Sequence, residues 1–238
     1  MTGAIAIFVK TVGLSPIKTR LAQGIGHTAA ETFHLLAAEA VAAVVRQVTA
    51  QYPLTPYWAV AEPQGSTAPA WQSFPQILQG AGELGTRLAW VYNQLLQRHR
   101  FVLLLGADSP QIRFRHLSQA AIWAEAGGFA LGPAADGGFY LFGGSQPIPR
   151  PIWESIPYSS CQTAKSLIQA IAPLGNVQQL PTLLDVDTIQ ELKQLQTQLN
   201  HAAARTTPTN QTGEAEELCP EQVALLAWLN RLLSEISD

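Results

Sequence analysis

Charge is scarce in this 238-residue chain: only 13% of its residues are Asp, Glu, Lys or Arg, about half the usual ~25%. Fourteen basic residues against seventeen acidic ones leave a formal charge of −3. That leaves no basic excess to grip a phosphate backbone, so no nucleic-acid partner is expected. Hydrophobic residues make up 47%, too many for a disordered tail. No apolar run approaches the ~20 residues of a membrane helix, so no membrane partner is expected. No leader pattern opens the sequence, and a cytoplasmic address is the expectation. The two cysteines, Cys161 and Cys219, form no CxxC pair, and in a reducing compartment no disulfide. Cys161 has no histidine near it and reads as packing, not as a nucleophile. The five histidines show no HxH or HExxH spacing, which leaves zinc without support. A G-x-S-x-G elbow and internal repeats are also missing.

What charge there is lies unevenly. Residues 1–30 contain Lys10, Lys18 and Arg20 and no acid. Residues 206–238 carry six acids against Arg231 alone. The remainder is therefore slightly basic, and the acidity belongs to the tail.

The pattern of apolar residues implies alternating strands and helices. Ala4–Val9 is a short apolar run typical of a buried parallel strand. Thr28 and Glu31 have capping-box spacing ahead of a helix reaching about Gln51. A second strand spans Tyr57–Ala61, and Pro63–Pro75 reads as loop. Glu83–Arg98 is helical, and Phe101–Leu105 is the clearest strand. A helix over His116–Ala126 follows, then short strands at Phe129–Leu131 and Phe139–Phe142. A helix at Thr163–Ala172 and a strand at Val177–Leu180 come next. Asp187, with Gln190 at the capping-box position, should start a helix running to about Asn200. Such alternation predicts an α/β layered domain with a mostly parallel sheet. Residues 202–217 form a polar linker. Within 218–238, Pro220–Ile236 forms an amphipathic helix with Val223, Leu226, Leu229, Leu232 and Leu233 along one stripe. That helix either folds back on the domain of residues 1–201 or docks a partner, a homodimer included.

In open α/β sheets ligands gather at the carboxyl ends of strands, and three such ends carry polar, glycine-bearing motifs. The first, Lys10 to Leu21, places Gly13 and Ser15 ahead of Lys18 and Arg20, which suits phosphate. It is not a Walker A loop, because Ile17 replaces the glycine before the lysine. A basic surface turn is the alternative. The second is Asp108, following Leu103–Gly106. A hard carboxylate there suits Mg2+ or Mn2+, although Asp-Ser-Pro also starts turns. The third, Gly132–Tyr140, contains Asp136, Gly137 and Gly138. It allows close approach of a ligand or forms a plain β-turn. Asp185-Val186-Asp187 could add a carboxylate, though capping accounts for Asp187. Of six tryptophans, Trp153 follows the glycine-rich motif and could line an acceptor pocket.

Taken in order, Lys10…Gly13-Leu14-Ser15-Pro16-Ile17-Lys18-Thr19-Arg20-Leu21, Leu84-Gly85-Thr86-Arg87-Leu88, Gly106-Ala107-Asp108-Ser109-Pro110, Gly132–Leu141 and Leu180–Thr188 closely resemble a bacterial family. It is the glycosyltransferase-A-like (GT-A-like) family once classed as a domain of unknown function, with members taken as nucleotide-diphospho-sugar transferases, some of the arsenosugar-biosynthesis type. The resemblance covers roughly residues 3–200. It implies a Rossmann-like GT-A three-layer sandwich, a nucleotide-sugar donor, a small-molecule acceptor and a divalent metal. By analogy Lys10, Gly13, Lys18 and Arg20 would hold the nucleotide and its phosphates. Gly82, Gly85 and Arg87 would lie beside the base or ribose. Asp108 would match the fold's metal-binding aspartate, and Asp136, with Gly137 and Gly138, would face the sugar and acceptor, orienting the sugar or deprotonating an acceptor hydroxyl; both carboxylates are candidates for catalysis and for the metal. Val12 stands where proline is usual, Ala107 where serine is usual, and Tyr158 where tryptophan is expected.

The same layout is similar to nucleotidyltransferases of this fold, such as phospholactate guanylyltransferase. Three readings follow. A glycosyltransferase would break a sugar–phosphate bond. A nucleotidyltransferase would couple a nucleoside triphosphate to a phosphorylated or carboxylate acceptor and release pyrophosphate. A non-catalytic module would only bind nucleotide sugar or serve assembly.

Overall fold

The computed structural model describes residues 2–204 and 217–237. The chain runs β1 (Gly3–Val9), α1 (Thr19–Ile25), α2 (His27–Thr49), β2 (Leu54–Val60), β3 (Gln76–Leu78), α3 (Leu84–Leu96), β4 (Val102–Gly106), α4 (Phe114–Glu125), β5 (Phe129–Pro133), β6 (Phe139–Gly144), α5 (Arg150–Ser155), α6 (Thr163–Ile171), β7 (Val177–Gln179), α7 (Ile189–Ala204) and α8 (Pro220–Ser237). The strands form one seven-stranded sheet in the order β3-β2-β1-β4-β6-β5-β7. Every neighbouring pair is parallel except those made by β6, which runs antiparallel to both β4 and β5. The mainly parallel α/β sandwich expected from the sequence is therefore present.

Side-chain alternation explains the layers. Ile5, Ile7 and Val9 of β1, with Leu103 and Leu105 of β4, face a core shared with α2 and α4. Ala4, Ala6, Val102 and Leu104 face the other side, under α3, Trp153 of α5 and α6. Residues of opposite parity on one strand thus serve two cores, and both faces are apolar. Strand β3 pairs only with Trp58–Val60, so the Pro56 stretch of β2 lies at the sheet edge, where proline is tolerated.

Several boundaries differ from expectation. The Thr28/Glu31 capping box does not form. Helix α2 starts at His27 behind Gly26, with no side-chain cap, and both residues lie inside it. The short α1, β3 and α5 are additional elements. Helix α2 is itself long and apolar enough to cross a membrane by length and composition alone, with a mean hydropathy of 1.3. The sequence expectation missed this because scattered charges interrupt the run without lowering its average much. In this fold most of α2 is buried between the sheet and α8.

Helix α7 continues through Ala204, into the expected linker, and residues 205–216 of that linker lie outside the described residues. Helix α8 folds back onto α2 and α7 and buries Leu225, Leu226, Leu229 and Leu233. Val223, expected on the buried stripe, is exposed, because α8 turns Gln222 inward instead. Arg46 of α2 ties the two helices, with Nη2 2.6 Å from Glu39 Oε1 and 2.9 Å from Glu221 Oε1.

Candidate active site

The strand order reverses between β1 and β4, so their carboxyl ends flank a topological switch point. A cleft of about 990 Å³ opens there. Lys10 and Lys18 line it from the loop after β1, Arg20 from the first turn of α1, and Asp108 from the loop after β4. Buried anchors fix the first loop. The Thr11 amide donates to Glu62 Oε2 at 2.9 Å, and Trp71 Nε1 donates to the Thr11 hydroxyl at 3.1 Å. His34 Nε2 lies 2.9 Å from the Lys10 carbonyl. A carbonyl only accepts, so that ring nitrogen carries the proton. Burial holds the His34 pKa below its usual value, with Lys18 and Lys10 adding to the effect and Asp108 and the Lys10 carbonyl opposing it.

Lys18 is the centre of the arrangement. Its backbone is left-handed, with φ 44°, at a cost of roughly 1–2 kcal/mol for a residue with a Cβ. The conformation turns its side chain inward, where it is 5% exposed. Nζ sits 3.0 Å from Asp108 Oδ1 and 2.9 Å from Asp187 Oδ1. Burial works against the charge, but Asp108, Asp185 and Asp187 outweigh it and hold the ammonium well above the usual lysine range. Arg20, largely exposed, reaches Asp187 Oδ2 at 3.6 Å.

The expectation that Asp187 caps the following helix is corrected. The cap sits one residue on. Glu191 Oε2 accepts the amides of Asp187 and Thr188, each at 2.7 Å. This frees the Asp187 carboxylate for Lys18. Asp185 is brought into the same cluster. Burial, then the neighbouring Asp108 carboxylate, push its carboxyl up to about 7, with Asp187 and Asp136 adding and Lys18 opposing. Asp136 is exposed, and its Oδ1 accepts the Gly138 amide at 2.8 Å.

Among the described residues no group of three or more His, Cys, Asp or Glu side chains is placed to hold a metal ion. The donors are nevertheless suitable for a hard cation. Asp108, Asp136, Asp185 and Asp187 outnumber the single buried ammonium of Lys18 around the cleft. Mg2+ is commonly held by one or two carboxylates with substrate phosphates and water completing its shell.

The structure gathers Lys10, Lys18, Arg20, Gly82, Arg87, Asp108, Asp136 and Gly138 around the cleft. Gly13, Gly85 and Gly137 do not line it. Gly13 borders a separate depression of about 340 Å³ with His27 and Glu31. A Cβ on Gly85 would come within 2.6 Å of the Trp153 carbonyl and 2.7 Å of the Tyr158 ring, and one on Gly137 would meet the Cys161 backbone. Those two glycines permit close packing behind the wall. Arg87 Nε donates to the Gly82 carbonyl at 2.7 Å and pins that loop. Trp153 is not in the cleft. It is fully buried beside Tyr92 and Phe142, while Tyr158 reaches the lining.

Two features escaped sequence reasoning. Gln79, deep in the cleft floor, knits β1 to β2 by donating to Val9 O at 3.2 Å and Ala59 O at 2.8 Å. The charges of the cleft lining are also unevenly spread along the sequence. Its basic lining residues, Lys10, Lys18, Arg20, His34 and Arg87, all precede β4 in sequence. The lining contributed by residues 134–163 contains Asp136 with aromatic, hydroxyl and thiol side chains, and no Lys or Arg.

A family of uncharacterized proteins conserved in bacteria (DUF2064) matches residues 40–160, just over half of the chain. The chain belongs to this family. No curated protein matches it. Among solved structures this DUF2064 member is similar to a provisionally named nucleotide-diphospho-sugar transferase from Desulfovibrio desulfuricans G20. The TM-score is 0.75 at 21% identity, over 99% of both chains. A nucleotidyl transferase from Methanothermobacter gives 0.56 at 12% identity, over 84% of this chain and 99% of that one. A CMP:2-keto-3-deoxy-manno-octonic acid synthetase solved with CTP gives 0.52 at 13%, over 86% and all of its chain. At these identities the likeness is one of fold, and it agrees with the GT-A-like sandwich expected from the sequence.

Proposed function

We propose that the protein is a metal-dependent glycosyltransferase that moves a sugar from a nucleotide-diphosphate donor to an uncharged small-molecule acceptor. The observation that carries this reading is the Lys18–aspartate cluster at the switch point, in a cleft whose Lys and Arg residues all come from before β4. Lys18, Lys10 and Arg20 bind the diphosphate and provide positive charge where negative charge grows as the sugar leaves. Gly82 and Arg87 flank the nucleoside. Asp108 and Asp185 would hold a Mg2+ or Mn2+ ion, which when bound supplies neutralising charge to the departing diphosphate. Asp136, a candidate from the sequence both for the metal and for the acceptor, is assigned to the acceptor, since residues 134–163 bring no Lys or Arg to the cleft and its turn fixes it through Gly138. The acceptor oxygen bonds to the anomeric carbon while the bond to the diphosphate breaks. The nucleoside diphosphate leaves with that electron pair, and the acceptor proton passes to Asp136.

The nucleotidyltransfer alternative draws on the fold relatives named for that chemistry. It needs an anionic acceptor, and residues 134–163 bring no Lys or Arg to the cleft to receive one. A purely binding module leaves the clustered carboxylates and the strained Lys18 without a task. Thermal-shift screening of nucleotide sugars and nucleoside triphosphates with Mn2+ tests the reading, because a ligand stabilises by mass action. Product assay with the stabilising donor should give nucleoside diphosphate. Pyrophosphate release would favour nucleotidyl transfer, and turnover by Asp108→Ala equal to the parent would sink the site assignment.

A further inference from the structure

Gln222 lies in the first turn of α8 and is 1% exposed. Its amide makes four hydrogen bonds, and they divide into two pairs. Oε1 accepts from the Cys219 amide and from Arg113 Nη1, both at 3.1 Å. Nε2 donates to the carbonyls of Pro110 at 2.8 Å and Ile112 at 2.9 Å. The Cys219 bond fixes the start of α8. The other three grip residues 110–113, the segment that leaves Asp108, through two carbonyls and the Arg113 side chain.

The opposite side of that loop is tied to the segment carrying Asp185. The Val186 amide donates to the Asp108 carbonyl at 3.2 Å, and Gln111 Nε2 donates to the Leu184 carbonyl at 2.7 Å. The loop is therefore clamped between α8 and residues 184–186, with Asp108 and Asp185 on its active-site flank. Buried carbonyls need partners, and here α8 supplies them from outside the sheet. Helix α8 also lies beyond the residues matched by the family.

We propose that Gln222 is a positioning residue for the aspartate site, holding the Asp108 loop against the Asp185 segment through the Pro110 and Ile112 carbonyls. This rests on the reading that Asp108 and Asp185 hold the divalent cation. The C-terminal helix then supports the site, although none of its residues lines the cleft. Groups that orient a metal's ligands typically change metal affinity 10- to 100-fold when removed.

The test uses the full chain and three variants. Gln222→Met removes all four hydrogen bonds at similar volume. Gln222→Glu keeps an acceptor for Cys219 and Arg113 but sets an oxygen against the two carbonyls, so it breaks the bonds to Pro110 and Ile112 while sparing the helix start and the Arg113 contact. Leu229→Ala destabilises α8 within the α2/α7 core without removing a bond to the loop. Amide hydrogen exchange is followed at Ser109, Gln111 and Ile112, and Mn2+ alone is titrated by paramagnetic resonance. Both Gln222 variants should exchange at least tenfold faster at those amides and bind Mn2+ about tenfold more weakly. Leu229→Ala should lower the melting temperature and alter neither. Unchanged exchange in Gln222→Glu, or equal acceleration in Leu229→Ala, overturns the positioning role. If the parent protein binds no Mn2+, the metal reading fails, and the exchange comparison still decides whether Gln222 holds the loop.

Discussion

Lys18 and Asp187 are 169 residues apart in sequence and 2.9 Å apart in the fold. The contact closes the cleft from both ends of the chain, because Lys18 follows β1 and Asp187 precedes α7. Replacing Lys18 with Met leaves Asp108, Asp185 and Asp187 facing one another. Breaking a buried pair costs ~3–5 kcal/mol, but the two bonded carboxylates are about two-fifths exposed and partly screened. A loss of about 1–3 kcal/mol is expected. Urea unfolding measures it, and added Mn2+ should raise the variant's midpoint more than the parent's. Identical midpoints with and without Lys18 would show that the cluster does not need its cation.

Asp185→Asn should act in the opposite direction on stability. An acid whose pKa rises on folding, here to about 7, destabilises the fold when ionised above that pH. The effect disappears below its unfolded value near 4. Metal-free Asp185→Asn should therefore be more stable than the parent at pH 8 and no more stable at pH 4, while losing Mn2+ affinity. Such an exchange of stability for function is common at charged sites. A variant that is no more stable at pH 8 contradicts it.

His116 supplies a pH dependence away from the cleft. Burial, then Arg115 and Arg113, lower its pKa to about 4. Tyr140 packs edge-on against the ring, and Nδ1 accepts the Arg113 amide. For a base whose pKa falls on folding, stability is complete above the unfolded value near 6.5 and declines as pH drops toward 4. The decline amounts to about 3 kcal/mol. Urea midpoints at pH 7.5 and 4.5 should differ less in His116→Gln than in the parent. An equal acid slope in both would assign the effect elsewhere.

Glu191 caps α7 in place of Asp187. Glu191→Ala frees two amides and should cost about 1 kcal/mol. Asp187→Ala should leave the helix start intact. Amide exchange at Asp187 and Thr188 should therefore accelerate in the Glu191 variant. No acceleration there would return the cap to Asp187.

Much of this arrangement was legible. Apolar runs at β1 and β4 are unambiguous because both faces of a covered parallel sheet are apolar, and proline marks the end of β4 beside Asp108. What was hidden is short or depends on distant partners. Strand β3 has three residues, and α1 has seven with Gly24 inside it. Neither offers a period to detect. The Asp187 assignment failed because Asp187-Gln190 and Thr188-Glu191 both have cap spacing, and only the presence of Lys18 decides between them. Gln222 gave no signal, since a glutamine in an acidic, polar stretch looks exposed until its neighbours are known.

The reversal of β6 has a consequence for how this cleft can change. Because β5 runs parallel to β4 and β6 returns beside it, the turn between them emerges at the same rim as Asp108. Asp136 thereby reaches the site without a further crossover. Residues 134–138 hang directly from β5 and β6, whereas Lys10 and Lys18 follow β1. Under the proposed function, exchange of the 134–138 turn is therefore expected to alter acceptor choice without moving the lysines assigned to the donor.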